Sequence, residues 1–433
     1  MRSCNEMPYH IALKMRIYPS HEQKTVIEKN AGAARFVYNR LVALNNERYT
    51  LKQDRCGSPY VNGRLSYLNT VLSSTKELIN TIPFLDDKDI DSFVPCNAKR
   101  FYQSAWNNFK KIPASGKPSY HKKSNHVSYQ TNAHYKTDAE GINDGNVRFV
   151  WPDRSRTPKF ITLPKIGKIR FKASPEMLWR VLNHERYSRI GAVTISRDNC
   201  GDYYVSLQIS GEYPFVEKLP TANSPVGIDM NLSNFYSDGT VIQNPKIRRS
   251  LEKKLKKLQR KLSRQMEADI IGYKTVGNKR YPIFKKPLEE CANYQKTRIK
   301  LAKLNRQIER GRTDFINVHA KDVIKNHDII FTEDLKVKNL LKNHHLAGAI
   351  SDVSWSGFFT CLSQKANMYG RTYVKVPAKD TTQTCNSCGY IMTGEHHIKL
   401  GVDEWKCPNC GTVHIRDINA AHNILHKGMS LIA

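Results

Sequence analysis

Two short stretches near the C-terminus, TCNSCG and KCPNCG, restrict this chain more than any other feature. They set Cys385, Cys388, Cys407 and Cys410 as two C-x-x-C pairs with 18 residues between them. A two-residue gap lets one tight turn present two sulfurs to one ion, and four thiolates complete the tetrahedron that zinc accepts. Gly389 and Gly411, each directly after a pair, permit the positive φ that such a knuckle wants. The spacing predicts a four-cysteine zinc ribbon, not redox or free thiols. A full set of protein ligands leaves no open position for substrate, so this Zn2+ is expected to be structural. Cys4, Cys56, Cys96, Cys200, Cys291 and Cys361 are scattered singly. That is how an intracellular protein with one metal site uses cysteine, and it points to a reducing compartment, the cytoplasm.

Length and charge set the next bounds. At 433 residues the chain exceeds one ordinary core, and roughly two to four structural units are expected. Its formal charge of +30 stores self-repulsion that a polyanion would relieve. The 21 tyrosines mixed among basic residues suit base stacking and phosphate contact, so nucleic acid is the expected partner. The start, MRSCNEMPYHIALKMRIYPS, has no apolar core for a secretory signal, and no run approaches the ~18 apolar residues of a membrane span. No membrane partner is expected.

Residues 10–18, HIALKMRIY, alternate like a strand. Ser20 with Gln23 three residues on is a capping-box signature, and Val26, Ile27, Ala34, Val37, Tyr38, Leu41 and Leu44 follow at helical spacing. NAKRFYQSAWNNFKKI reads as another helix, with polar, turn-rich sequence over 50–95. From about 127 to 215 the short alternating runs NVRFVW, KFITLP, KIRFKA, AVTISR and YYVSLQIS predict a small antiparallel barrel or sheet. The N-terminal half therefore reads as a β-barrel with a helical insertion. After EKLPTANSP the pattern becomes mixed α/β. SPVGIDMNLSNFYSDGTVI reads as a strand, a turn and a second strand beyond SDG. Two basic helical segments, from Lys246 and from Tyr294, predict a hairpin with residues 267–290 as its loop. DIIFTEDL is a buried strand ending in carboxylates, SWSGFFTCLSQKANMYG an amphipathic helix, RTYVKVPA a strand and RDINAAHNILHKG the last helix.

Three carboxylates are weighed together. Asp229 sits in the apolar VGIDMN, Glu333 ends DIIFTE, and Asp417 opens the last helix. Singly, each has a bland explanation: a turn-initiating residue, a solvent-facing strand end, a first-turn carboxylate favoured by the helix dipole. As a set they fall on a first strand, a later strand after a helix, and a terminal helix. That order is the plan of an RNase H-like nuclease core. Two Mg2+ ions about 4 Å apart need several carboxylate oxygens, because the ions are hard and oxygen-seeking. Asp334 should face opposite to Glu333 if the strand persists, but alternation alone does not say which face is catalytic.

GIDMN, FTEDL, the ribbon from TTQTCNSCG to CPNCG, and RDINAAHNI resemble, in that order, the split RuvC-type nuclease of TnpB proteins and of their descendants, the miniature type V-F CRISPR effectors. More loosely, AGAARFVYNRL, GKPSYHKKS, ITLPKIGKIRF and AVTISRDNCGDYYVSLQIS fit the same family. The resemblance implies an RNA-guided DNA endonuclease of multidomain α+β fold. A wedge barrel would take residues 1–20 and 112–218, a helical recognition lobe 21–111, and a RuvC-like nuclease with a basic helical hairpin 219–380. The zinc ribbon, 381–412, would interrupt that nuclease before its last helix at 413–433. The resemblance maps Asp229, Glu333 and Asp417 onto a catalytic triad that holds Mg2+ (or Mn2+), selects Glu333 over Asp334, and makes Arg416 a candidate contact to the scissile phosphate. It implies as partners a guide RNA, target double-stranded DNA beside a short T-rich motif, and the displaced single strand. Asn231 stands where the family commonly has glycine, and 267–290 is idiosyncratic. Both favour the CRISPR branch over a transposon nuclease, and that branch implies two protein copies, a homodimer, on one guide. A cleavage-dead RNA-guided DNA-binding regulator is the alternative of another class, and the intact triad argues against it.

Overall fold

The computed structural model describes the chain apart from residues 1–3, 5, 54–57, 113, 138, 232–233, 238–239, 341, 344–347, 349, 351, 353, 400 and 433. Cys56 and the Asp-Gly of the SDG turn thus lie outside the described residues. The chain divides into two compact units, Met1–Phe215 and Val216–Ala433.

The first unit runs β1 (Tyr9–Tyr18), α1 (His21–Gln53), α2 (Pro59–Ser73), α3 (Thr75–Asn80), α4 (Phe93–Lys111), β2 (Val127–Asn132), β3 (Arg148–Val150), β4 (Phe160–Leu163), β5 (Gly167–Lys172), α5 (Pro175–Leu182), β6 (Ser188–Arg197) and β7 (Tyr203–Gly211). Its strands form one antiparallel sheet in the order β2-β6-β7-β1-β5-β4-β3. β1 is central because its alternation is the cleanest: Ile11, Leu13, Met15 and Ile17 are buried, and they share a core with Ile27, Val37, Leu41 and Leu44 of α1 and Val94 and Ala98 of α4. The capping box forms as the sequence predicts. The Ser20 N–H donates to Gln23 Oε1 (3.0 Å) and the Gln23 N–H to Ser20 Oγ (3.2 Å). Gln23 Nε2 also donates to the carbonyls of Ile166 and Lys168, so one residue starts α1 and ties it to the turn into β5. Of the barrel or sheet expected, the described residues form one antiparallel sheet with β2 and β3 as its edges. Among the described residues β3 is three residues long and pairs with β4.

The second unit runs β8 (Pro225–Met230), β9 (Asn234–Ser237), β10 (Thr240–Gln243), α6 (Ile247–Glu267), β11 (Ile270–Val276), β12 (Lys279–Phe284), α7 (Ala292–Asn326), β13 (Ile329–Glu333), α8 (Val337–Leu340), α9 (Trp355–Tyr369), β14 (Thr372–Val376), β15 (Glu404–Lys406), β16 (Val413–Ile415) and α10 (Arg416–Ile432). Its main sheet has the order β10-β9-β8-β13-β14. The first three strands are an antiparallel meander, and β13 and β14 then add in parallel. Two strands, not one, therefore follow GIDM. The expected 267–290 loop is a β-ribbon, β11–β12, between two helices that pack through Leu255, Leu304 and Ile308.

The two faces of the main sheet take different helices. Ile228 and Ile330 join Ile316, Ala320 and Ile324 of α7 and Phe358 and Leu362 of α9, while Phe331 and Val376 join Ile424 of α10. Two glycines let α10 lie directly on the strands. A Cβ on Gly227 would stand 2.1 Å from the Ala421 carbonyl oxygen, and one on Gly428 would stand 2.1 Å from the Phe331 ring. This seat fixes the height of the first turn of α10, which carries Asp417. Among the described residues no helix is long and apolar enough to cross a membrane.

Candidate metal and nucleic-acid sites

β8 and β13 lie in parallel register with Thr332 opposite Ile228, so Asp229 and Glu333 occupy neighbouring positions one step further along. Both are buried, Asp229 at 4% exposure and Glu333 at 9%. Asp334, one residue beyond the end of β13, stands half-exposed and pairs with Lys336. Burial pushes the Asp229 carboxyl up to about 7, and the charges of Glu333 and Asp417 push the same way, against the opposing pull of Arg416. The three predicted carboxylates and Arg416 therefore share one electrostatic neighbourhood. Burial also raises Glu333, against a hydrogen bond from Thr381 and the charge of Lys427.

Sequence reading missed the residues that hold this cluster. Asn231 Nδ2 donates to Asp229 Oδ2 at 3.3 Å. The Thr381 hydroxyl donates to Glu333 Oε1. Thr381 is in turn held by Asn423, whose Nδ2 donates to the Thr381 carbonyl (2.9 Å) and the Thr384 carbonyl (2.6 Å). Asn419 bonds the same strap twice, donating to the Thr384 carbonyl (2.8 Å) and accepting from the Asn386 N–H (2.9 Å). The available signal was Asn419 and Asn423 at i, i+4 among Ala420, Ala421 and Ile424, a polar pair on the buried stripe of a helix.

Asp229, with Glu333 and Asp417 in its electrostatic neighbourhood, offers hard oxygen donors of the kind that a divalent cation of the magnesium class accepts. Without a cation the cluster is a source of instability. A carboxyl whose pKa is raised on folding binds its proton more tightly in the native state. Stability is then greatest below the ordinary 3.8 and declines as pH rises through about 7. Asp229→Asn is therefore expected to stabilise the protein above that range, by an amount on the order of 4 kcal/mol for a shift of this size. The gain should vanish below the lower value. Urea midpoints on either side of the window measure it, and equal midpoints for variant and parent throughout would refute the electrostatic coupling.

The four predicted cysteines converge, with all their sulfurs within 4.8 Å of one another. Cys385–Cys410 and Cys388–Cys407 are each 3.7 Å apart. Zinc–sulfur bonds of about 2.3 Å in a tetrahedron require sulfurs about 3.8 Å apart, so the donor set fits one zinc. Each knuckle closes by a glycine N–H, Gly389 to the Cys385 carbonyl and Gly411 to that of Cys407, both 2.9 Å. The two glycines hold φ of 75° and 73°, as the sequence requires of them. Thr412 beside Cys410 brings its thiol down to about 6. His414, absent from the predicted set, places Nε2 3.1 Å from Cys385 Sγ, and its ring packs against Trp405. It sits on β16, two residues before Arg416, so the zinc knuckle abuts the start of α10.

The first unit offers a different surface. The solvent side of its sheet carries Lys14, Arg16, Lys168, Arg170 and Lys172, with Tyr18 flanked by the guanidinium groups of Arg16 (5.3 Å) and Arg170 (5.7 Å). Aromatic rings interleaved with cations suit stacked bases and phosphates.

Known families match along the chain. A Cas12f1-like TNB domain covers residues 355–424, a "Probable transposase" covers 204–344, and a helix-turn-helix domain of the same transposase group covers 7–54. In the structure that last stretch is β1 and α1. Among curated relatives, a "Putative RNA-guided DNA endonuclease" of Streptomyces pristinaespiralis is 29% identical over 98% of this chain and 90% of its own. The "Putative RNA-guided DNA endonuclease InsQ" of Escherichia coli K12 is 27% identical over 98% of this chain and 93% of its own. The TnpB-like protein L79 of Acanthamoeba polyphaga mimivirus is 29% identical over 30% of this chain and 25% of its own. These matches run nearly end to end, and they support similarity to compact TnpB-like RNA-guided endonucleases.

Proposed function

We propose that this protein is an RNA-guided DNA endonuclease with a single RuvC-like cutting site. The observation that supports the reading most is that buried Asp229 neighbours Glu333 on two parallel strands and feels the charges of both Glu333 and Asp417, the latter on the helix that lies on those strands. The sheet order, an antiparallel meander followed by two parallel strands, supports an RNase H-like core. In this reading Asp229, Glu333 and Asp417 hold magnesium. Magnesium held by these carboxylates would supply Lewis-acid activation of water and charge neutralisation at the leaving 3′ oxygen. Asn231 and Thr381 orient the carboxylates, and Arg416 meets the scissile phosphate. The wedge (1–20 and 112–218) and the recognition helices (21–111) hold guide RNA and heteroduplex through their backbones, as the basic, aromatic sheet face suits. Sequence is read by base pairing, with only a short T-rich flanking motif read by protein. Cys385, Cys388, Cys407 and Cys410 hold structural zinc in a ribbon that delivers the DNA strand. The favoured form is a type V-F CRISPR effector acting as two copies on one guide, with a transposon-encoded TnpB nuclease as the alternative. A repeat–spacer array beside the gene identifies the first, and transposon ends identify the second.

The test is reprogramming. The protein is co-expressed with its neighbouring DNA, the bound RNA is sequenced, and the guide segment is exchanged. Cleavage of a plasmid should move with the guide and require magnesium. Cutting that ignores the guide, or a preparation that carries no discrete RNA, would overturn the proposal.

A further inference from the structure

The β11–β12 ribbon takes no part in the chemistry proposed above. Its strands pair from Ile270↔Phe284 to Val276↔Lys279 across a two-residue turn, with Gly277 at φ 57°. A two-stranded hairpin with both faces in water is marginally stable by itself. Yet this one leaves Ile271, Val276 and Tyr273 exposed at 68%, 61% and 54%. It is anchored at its base, where the Lys285 N–H donates to the Asp269 carbonyl at 2.8 Å. Its charge is one-sided: residues 270–287 contain Lys274, Lys279, Arg280, Lys285 and Lys286 and no acidic side chain. Arg280 lies over the Tyr273 ring at 4.9 Å, so cation and aromatic present together.

Uncompensated cations among exposed apolar side chains complement a polyanion whose grooves carry apolar edges. Dimensions choose which one. Two strands about 4.8 Å apart, with side chains on either side, match the B-DNA major groove, which is about 12 Å wide and admits a two-stranded ribbon. The major groove of A-form RNA is too deep and narrow for side chains to read. We propose that the β11–β12 ribbon docks in the major groove of B-form duplex DNA. Lys274, Lys279 and Arg280 neutralise phosphates there, and the exposed apolar side chains face base edges. The ribbon becomes a second grip on duplex DNA, separate from guide pairing. The inference rests on the proposed function only in taking DNA as the partner.

The full-length protein without guide is titrated with a labelled DNA duplex and an RNA duplex of the same sequence across a salt series. For the Lys274→Gln/Lys279→Gln/Arg280→Gln variant, the log–log salt slope on DNA should shrink by about 2 to 3, at roughly 0.9 for each phosphate no longer neutralised, while the RNA slope stays unchanged. If the triple variant misfolds by circular dichroism, Lys279→Gln at the turn should lower the DNA slope by about 1. An unchanged DNA slope overturns the proposal. So does an equal loss on both duplexes, which would make the ribbon a general phosphate patch. Because no guide is present, either failure leaves guided cleavage standing, and a failure of guided cleavage leaves this binding result standing.

Discussion

Asp229→Ala is expected to lower guided DNA cleavage by roughly three orders of magnitude or more while guided DNA binding persists. The magnitude follows from what the carboxylate does in the proposed site. Asp229 lies between Glu333 on the adjoining parallel strand and the first turn of α10, and it couples electrostatically to Glu333 and Asp417. Removing it leaves two carboxylates to hold ions that need several hard oxygens. Residues acting as one unit lose nearly all their effect when any member goes. Unfolding does not explain such a loss. The carboxyl is buried and held near 7 by its surroundings, so its removal relieves a strain on the fold. Cleavage of a programmed plasmid and gel-shift binding with the same guide, measured on one preparation, give the answer. Cutting retained near the parent rate would sink the carboxylate assignment. Loss of binding together with cutting would place Asp229 in the scaffold and not in the chemistry.

The parts of this molecule that were legible in sequence are those whose physics is local. C-x-x-C spacing, a Ser20–Gln23 box and the alternation of β1 each depend on a few neighbouring residues, and each has its expected local form here. The parts that were not legible depend on residues far apart. Glu333 and Asp334 are adjacent in sequence, and only the pairing of β13 with β8 and β14 decides that Glu333 is buried and Asp334 meets Lys336. Thr381 carries no signal by itself, because its hydroxyl matters only once Asn423, some forty residues on, holds its carbonyl. The ribbon at 270–284 has no strand signature in sequence, because Lys and Gly interrupt its alternation and neither face is apolar throughout. Whether the first-unit sheet closes into a barrel is illegible for a different reason. Alternation announces a sheet, but closure depends on edge strands whose length and register it does not encode.

Cys407→Ser should abolish stoichiometric zinc binding and unfold the ribbon locally, with cleavage falling as a consequence. Among the described residues the ribbon's own core is Cys385, Met392, Ile398 and Cys407, with Val402 and Trp405 against it, and two of these four belong to the candidate zinc site. So small a core does not fold by burial alone. Structural zinc sites contribute roughly 10–16 kcal/mol of apparent binding energy near neutral pH, and in such modules that energy is the folding energy. Loss of one thiolate should therefore be felt through the whole module. The damage has a physical route to the carboxylates. Asn386, Thr384 and Thr381 are bonded to Asn419 and Asn423 of α10, and Thr381 bonds Glu333. Metal analysis should fall from one zinc per chain toward none, and hydrogen exchange should accelerate across residues 385–415. Exchange in the α7–α9 core should stay slow, because Ile316, Ala320, Phe358 and Leu362 pack without the ribbon. Unchanged zinc content would refute the four-thiolate site. Zinc loss with undiminished cleavage would cut the link from knuckle to carboxylates and leave the ribbon a purely structural appendage.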